Sequence, residues 1–199
     1  MRRAILATIL LIAAFAGGVL LTATRVQGSD MAPSILGGDW VWITPWGDPI
    51  PGDVVRLRDP LDPENHILRR VLAVAGQKIT YDADTIRVNN RRLRKQSMGD
   101  AEPHLVAQET LWAKKPLKGH SWLTRLVAYP ATHWAADTVT VPDGHLYLLS
   151  DNRDSALDSR WWGTVATTSI EGVVRLRWGP AHTWRTEFEW TVGTEPIRD

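Results

Sequence analysis

The stretch from Ser150 to Gly163 holds the densest set of side chains able to do chemistry. It reads Ser150-Asp151-Asn152-Arg153-Asp154-Ser155-Ala156-Leu157-Asp158-Ser159-Arg160-Trp161-Trp162-Gly163 and follows the apolar run Leu146-Tyr147-Leu148-Leu149. Asp, Asn and Ser favour turns because they hydrogen-bond nearby backbone. The segment therefore reads as a structured loop leaving a buried strand, and loops on rigid scaffolds often carry function. The competing reading is a solvated turn with ion pairs such as Asp154 to Arg160, which contribute little when exposed. The stretch lacks the glycine and terminal glutamate of a calcium loop.

Other chemistries are excluded by what the chain lacks. It has no cysteine, so a thiol nucleophile, a disulfide framework and a cysteine-based zinc site are absent. The six histidines, His66, His104, His120, His133, His145 and His182, are scattered and none pairs at helical ligand spacing. There is no phosphate-cradling glycine loop, no dinucleotide fingerprint and no zinc-protease pair, nor a glycine-flanked nucleophile elbow. No cofactor and no metal is expected. A net charge of +1 argues against a nucleic-acid partner.

The elements around the loop read as strands. Trp40–Ile43, Val54–Arg58, Ile67–Val74, Thr138–Val141, Leu146–Leu149 and Val173–Trp178 are β-branched or alternating runs. Lys78–Tyr81 and Ile86–Val88 resemble a hairpin, with Asn89-Asn90 as the next turn. Frequent turns predict a mainly β chain, as a small barrel or folded sheet. Between Arg91 and Asp137 basic residues, prolines and histidines are scattered without clear period, which reads as an inserted cap.

The N-terminus has a different character. Arg2-Arg3 precedes the uncharged run Ala4–Ala23, about twenty residues and long enough to span a bilayer as a helix. Thr22-Ala23-Thr24 is a poor cleavage site, so a retained anchor is expected. The arginines place the N-terminus in the cytoplasm and the main domain outside the cytoplasmic membrane. Of 11 tryptophans, Trp40, Trp42 and Trp46 lie close behind this run and suit either the membrane interface or the core. The expected organisation is 1–25 anchor, 26–90 and 138–180 core, 91–137 cap and 181–199 tail.

Five segments occur in order behind the anchor. They are Gly28–Asp39, Gly52-Asp53-Val54-Val55, Leu68–Ile79, Val141-Pro142-Asp143-Gly144-His145 and Ser150–Gly163. In this order the chain resembles the bacterial type I signal peptidases, membrane-bound proteases that use a Ser/Lys pair. The last segment is the most specific, through Asp151-Asn152-Arg153-Asp154, Asp158-Ser159-Arg160 and Trp162-Gly163. The resemblance implies a β domain with an inserted second region behind one transmembrane helix. It also implies the lipid bilayer and exported preproteins, or their signal peptides, as partners. The implied activity is serine-type endopeptidase cleavage, with a neutral lysine as general base.

The carry-over of residues breaks at the reacting positions. The family loop Ser-Met-x-Pro-Ser/Thr falls on Asp30-Met31-Ala32-Pro33-Ser34, so Asp30 takes the nucleophile position while Met31 and Pro33 keep the substrate loop. The family Lys-Arg-Val falls on Arg69-Arg70-Val71, so Arg69 takes the general-base position. The lysine-orienting serine falls on Ala156. Arginine stays protonated and cannot serve as base. Asp30 and Arg69 are expected to form a charge-assisted bond. The resulting expectation is a protein that binds exported chains without cleaving them, as a chaperone or as a regulator of an active peptidase paralogue. Two alternatives stand beside it. One is an active peptidase using Ser29 as nucleophile, with Asp30 or His66 as base, or Asp30 to activate water. The other is a membrane-tethered β domain with an adaptor role. Asp151, Asn152, Arg153, Asp154, Asp158 and Arg160 are assigned to holding the loop.

Overall fold

The computed structural model describes residues 5, 8–9, 22–82, 85–101, 104–111, 120–127, 137–153, 157–180, 186–190 and 195–196. Its strands are β1 (Thr24–Arg25), β2 (Trp40–Thr44), β3 (Val54–Arg58), β4 (His66–Val74), β5 (Lys78–Asp82), β6 (Thr85–Val88), β7 (Arg91–Arg92), β8 (Arg94–Ala101), β9 (His104–Leu111), β10 (His120–Val127), β11 (Asp137–Thr140), β12 (His145–Leu149), β13 (Val165–Ala166), β14 (Ile170–Pro180), β15 (Thr186–Trp190) and β16 (Glu195–Pro196). A short helix, α1, spans Ser159–Trp162. The molecule is mainly β, as expected. The central sheet runs β1-β2-β14-β3-β4-β12-β13, with β15 also pairing β14. Two four-stranded sheets run β11-β5-β6-β7 and β16-β10-β9-β8.

Side-chain alternation explains how the central sheet divides two cores. On β12, Leu146 and Leu148 enter a cluster with Val55, Leu57, Val71 and Val173. Tyr147 and Leu149 point the other way, into a cluster with Leu72, Ile79, Val88 and Val141. Successive strand residues face opposite sides, so one strand serves both cores. The β4–β12 register slips between Tyr147 and Leu148, which pair with Ala73 and Val71 and leave Leu72 as the extra residue. Such a bulge increases local twist and re-aims neighbouring side chains. This one lies directly after Arg69-Arg70. A third cluster, Met31, Ile35, Val41, Val54 and Val174, holds the loop after β1 against the sheet.

β14 organises the sheet by pairing β3, β2 and β15 along its length. It needs a glycine where it crosses β2. A Cβ on Gly172 would stand 2.6 Å from the Thr44 carbonyl oxygen and 2.7 Å from Ile43 Cγ2. Backbone cannot yield as a flexible side chain can. Gly172→Ala is expected to lower unfolding stability by about 1–3 kcal/mol, read from the urea midpoint.

Several expectations change here. The stretch 91–137, read from the sequence as an inserted cap, contains strands β7 to β10, although its sequence showed no clear period. The tail adds β15 and β16. Trp40 is 39% and Trp46 73% exposed, so neither fills the core. No helix among the described residues is long and apolar enough to cross a membrane; most of the expected anchor lies outside them.

Candidate functional site

Arg69 and Arg70 are adjacent on β4 and point apart, as strand geometry requires. Both are buried, at 2% and 1% exposure. Their environments differ, and the difference defines the site.

Arg70 is locked. Its Nε donates to Asp151 Oδ1 at 2.8 Å and its NH2 to Asp151 Oδ2 at 2.6 Å, a bidentate pair. NH1 donates to the Gly52 carbonyl at 2.7 Å. Gly52 has φ of 102°, a conformation that favours glycine, and this turn presents its carbonyl to the guanidinium. The short Gly52-Asp53-Val54-Val55 segment thus supplies an acceptor as well as a strand.

Arg69 is held on three sides. Nε donates to the Leu157 carbonyl at 2.9 Å and NH1 to the Leu68 carbonyl at 2.6 Å. NH2 meets Asp30 Oδ2 at 3.0 Å. The Trp162 ring lies 5.8 Å from its Cζ, within cation–π range. Asp30 is the open partner, with its side chain 44% exposed. The expected Asp30–Arg69 pair forms, at 3.0 Å.

The loop carrying Asp30 is fixed from both sides. Met31, Ala32 and Ile35 are buried beneath it at 2% exposure or less. The Asn152 amide N–H donates to the Asp30 carbonyl at 2.9 Å, and Asn152 Nδ2 donates to the Ser29 carbonyl at 3.1 Å. The Ala32–Pro33 peptide bond is cis. The Ser150–Gly163 segment therefore clamps the Ser29–Asp30 backbone.

That segment is not a solvated turn. Ser150, Asp151, Asn152, Arg153, Asp158 and Ser159 are all 3% exposed or less. Asp151 survives burial through Arg70 of β4, and Asp158 through Arg160 within the segment. Asp158 accepts from the Ser150 amide at 3.0 Å and from Arg160 Nε at 2.8 Å and NH2 at 2.8 Å. It also caps α1 through the Arg160 amide. Arg160 NH2 donates to the Arg153 carbonyl. Ser159 Oγ accepts from the Leu148 amide at 2.9 Å, joining the loop to β12. Asp151, Asn152, Arg153, Asp158 and Arg160 lie in this network. Asp154 and Ala156 fall outside the described residues.

The remaining candidates are less engaged. Ser29 is exposed, and the structure gives its hydroxyl no hydrogen-bond partner among the described residues. His66 Nε2 stands 3.0 Å from Glu171 Oε1, and Arg56 Nε meets Glu171 Oε2 at 3.0 Å. The imidazole thus shares Glu171 with Arg56. Burial first, and then the neighbouring Tyr81, push the Tyr147 phenol well above its usual range, so Tyr147 is no acid–base group near neutral pH. Among the described residues no acidic, histidine or cysteine cluster could hold a metal ion.

A cleft of about 280 Å³ opens beside Asp30. Met31, Val41, Ile43, Ile67 and Leu68 give it apolar walls, while Arg56 and His66 lie at its polar side. Its margin includes Thr24 and Arg25 of the edge strand β1. Sequence reasoning missed the Arg70–Asp151 pair and the dual anchoring of Asn152. The only available signal was the co-occurrence of Arg70 and Asp151 within the quoted segments.

Comparison with known proteins places this arrangement. Signal peptidase I of Pseudomonas fluorescens is 26% identical over 164 residues, covering 72% of this chain and 56% of that protein. The mitochondrial ATP-independent inner membrane protease subunit 1a of Arabidopsis thaliana is 27% identical over 169 residues, covering 82% and 74%. A crystal structure of a signal peptidase I from Enterococcus faecalis gives a TM-score of 0.43 at 21% identity, covering 64% of this chain and 97% of that one. The chain spans about half the length of the Pseudomonas signal peptidases it matches, 56% in each case. The sequence pattern described as signal peptidase, peptidase S26 matches residues 2–179 and so includes the Asp30 loop, the Arg69-Arg70 strand and the Ser150–Gly163 clamp. The chain therefore belongs to the signal peptidase, peptidase S26 family.

Proposed function

We propose that this signal peptidase I-like protein binds exported or signal-peptide-bearing chains without Ser/Lys cleavage. It would act at the outer face of the cytoplasmic membrane, anchored by its N-terminal apolar run. The observation that carries the reading is the Arg69–Asp30 contact at 3.0 Å. The motif resemblance puts these residues at the general-base and nucleophile positions, with Ala156 at the lysine-orienting position. An arginine cannot deprotonate a nucleophile, because it stays protonated throughout the accessible pH range. A carboxylate paired with a guanidinium is stabilised as an acceptor, which opposes attack on a carbonyl.

The cleft beside the pair supports binding as the retained activity. Its apolar walls suit an uncharged extended segment, and burial of such side chains would supply affinity. The client would be an exported preprotein or its signal peptide, and an active peptidase paralogue is the second candidate partner.

The test is retention. The full chain, purified in detergent, is expected to hold an unprocessed exported precursor on an affinity resin. A precursor whose apolar signal segment is deleted should pass through. Equal retention of both forms would remove the assignment to signal-bearing chains.

A further inference from the structure

We infer that Arg69 is a recognition point for a carboxylate on a bound peptide, and that Asp30 occupies that point when no ligand is present. This rests on the peptide-binding reading above and names the ligand group it would take.

Arg70 provides the contrast. Its guanidinium is matched by both oxygens of an Asp151 side chain with no exposure, so that pair is closed to ligands. Arg69 is equally buried, but two of its nitrogens are held by neutral carbonyls, those of Leu68 and Leu157. Only the third meets an anion. That anion is half in solvent, stands 3.0 Å from the arginine, and lines the cleft. If Asp30 swings outward, the guanidinium keeps its place through the two carbonyls and the Trp162 ring. It also keeps its charge, so another anion must replace the aspartate. The approach is through the cleft, because Asp30 is the member of the pair that lines it.

The shape of the cleft favours a peptide over a small ion. Met31, Val41, Ile43 and Leu68 line the cleft together with Asp30, the exposed partner of Arg69. Among the described residues strand β1 pairs with β2 alone and lies at the sheet edge, where an extended chain can add backbone bonds. A chain lying in the cleft and ending at Arg69 would present its terminal carboxylate, whose two oxygens fit a guanidinium. An acidic side chain has the same group, and the test separates the two sources.

The experiment measures fluorescence anisotropy of three labelled Leu/Ala peptides with the full chain in detergent. One has a free C-terminal carboxylate, one a C-terminal amide, and one an amide after a final glutamate. The free carboxylate is expected to bind about tenfold more tightly than the plain amide, as befits a charge-assisted hydrogen bond. Asp30→Asn removes the internal competitor. It should raise the preference for the free acid over the plain amide by about a further tenfold, and this gain should fall as salt rises. The glutamate peptide should fall between the two.

Equal binding of acid and amide in both proteins would overturn the proposal while leaving peptide binding intact. Glutamate and free-acid peptides of equal affinity would overturn the assignment to a chain end. Inorganic phosphate competing more strongly than the free-acid peptide would overturn the assignment to a peptide. Binding of none of the three peptides would also overturn it. The retention assay then shows separately whether precursor binding stands.

Discussion

Asp151→Ala is expected to be the most destabilising single change in the molecule, lowering unfolding stability by about 3–5 kcal/mol. The carboxylate it removes has no exposure and meets Arg70 through both oxygens. The arginine left behind is 1% exposed and cannot discharge itself. It would retain the Gly52 carbonyl, a neutral acceptor that does not balance the charge. The loss should also reach the site, because the next residue, Asn152, holds the Ser29–Asp30 backbone. Urea unfolding followed by tryptophan fluorescence measures the effect. Asp151→Ala combined with Arg70→Met should recover much of the lost stability, since it removes both charges.

The second large effect is a gain of chemistry. Asp30→Ser with Arg69→Lys and Ala156→Ser is expected to produce signal-peptide cleavage that none of the single changes gives. A serine without a neutral base stays a weak nucleophile, and a lysine without the serine has nothing to deprotonate. The environment at position 69 favours the exchange in one respect. Burial at 2% exposure opposes a charged ammonium and lowers a lysine's basicity towards neutral pH. The carbonyls of Leu68 and Leu157 work against it by stabilising the ammonium. Adding a positioned base typically contributes about 10²–10⁴-fold in rate. Single-turnover cleavage of a fluorogenic signal-sequence peptide by the triple variant, compared with each single variant, measures this effect.

Much of the scaffold was legible in local pattern. Val54–Arg58 alternates and is a strand over those same residues. Asn89 and Asn90 take φ of 49° and 65° and make the turn their side chains favour. β12 was recognisable as buried because it is a continuous apolar run between turn residues. The cap strands were not legible, because their sequences carry scattered basic and polar residues instead of a two-residue period. Pairing with neighbouring chain segments, as between β9 and β10, defines them more than composition does.

The site was legible in part. Motif order identified the Asp30 loop, Arg69 and the Ser150–Gly163 segment, and charge complementarity anticipated the Asp30–Arg69 contact. Composition alone suggested that Ser150–Gly163 could be a solvated turn. Residues Ser150–Arg153, Asp158 and Ser159 are buried; Arg70, 81 positions earlier in the chain, neutralises Asp151, and Asp158 takes Arg160 and the Ser150 amide. Partnerships across that separation leave no local signature. The exposure of Asp30, as against the full burial of Asp151, was likewise invisible before the two side chains were seen in place.

The central claim is that Asp30 and Arg69 form a binding site in place of a cleaving one. The most direct measurement is incubation of the purified full chain, in detergent, with an unprocessed exported precursor, followed by mass analysis of the product. The account predicts an intact precursor that remains associated with the protein. Release of a mature N-terminus by the unmodified protein, lost on Ser29→Ala or Asp30→Asn with folding retained, would contradict it.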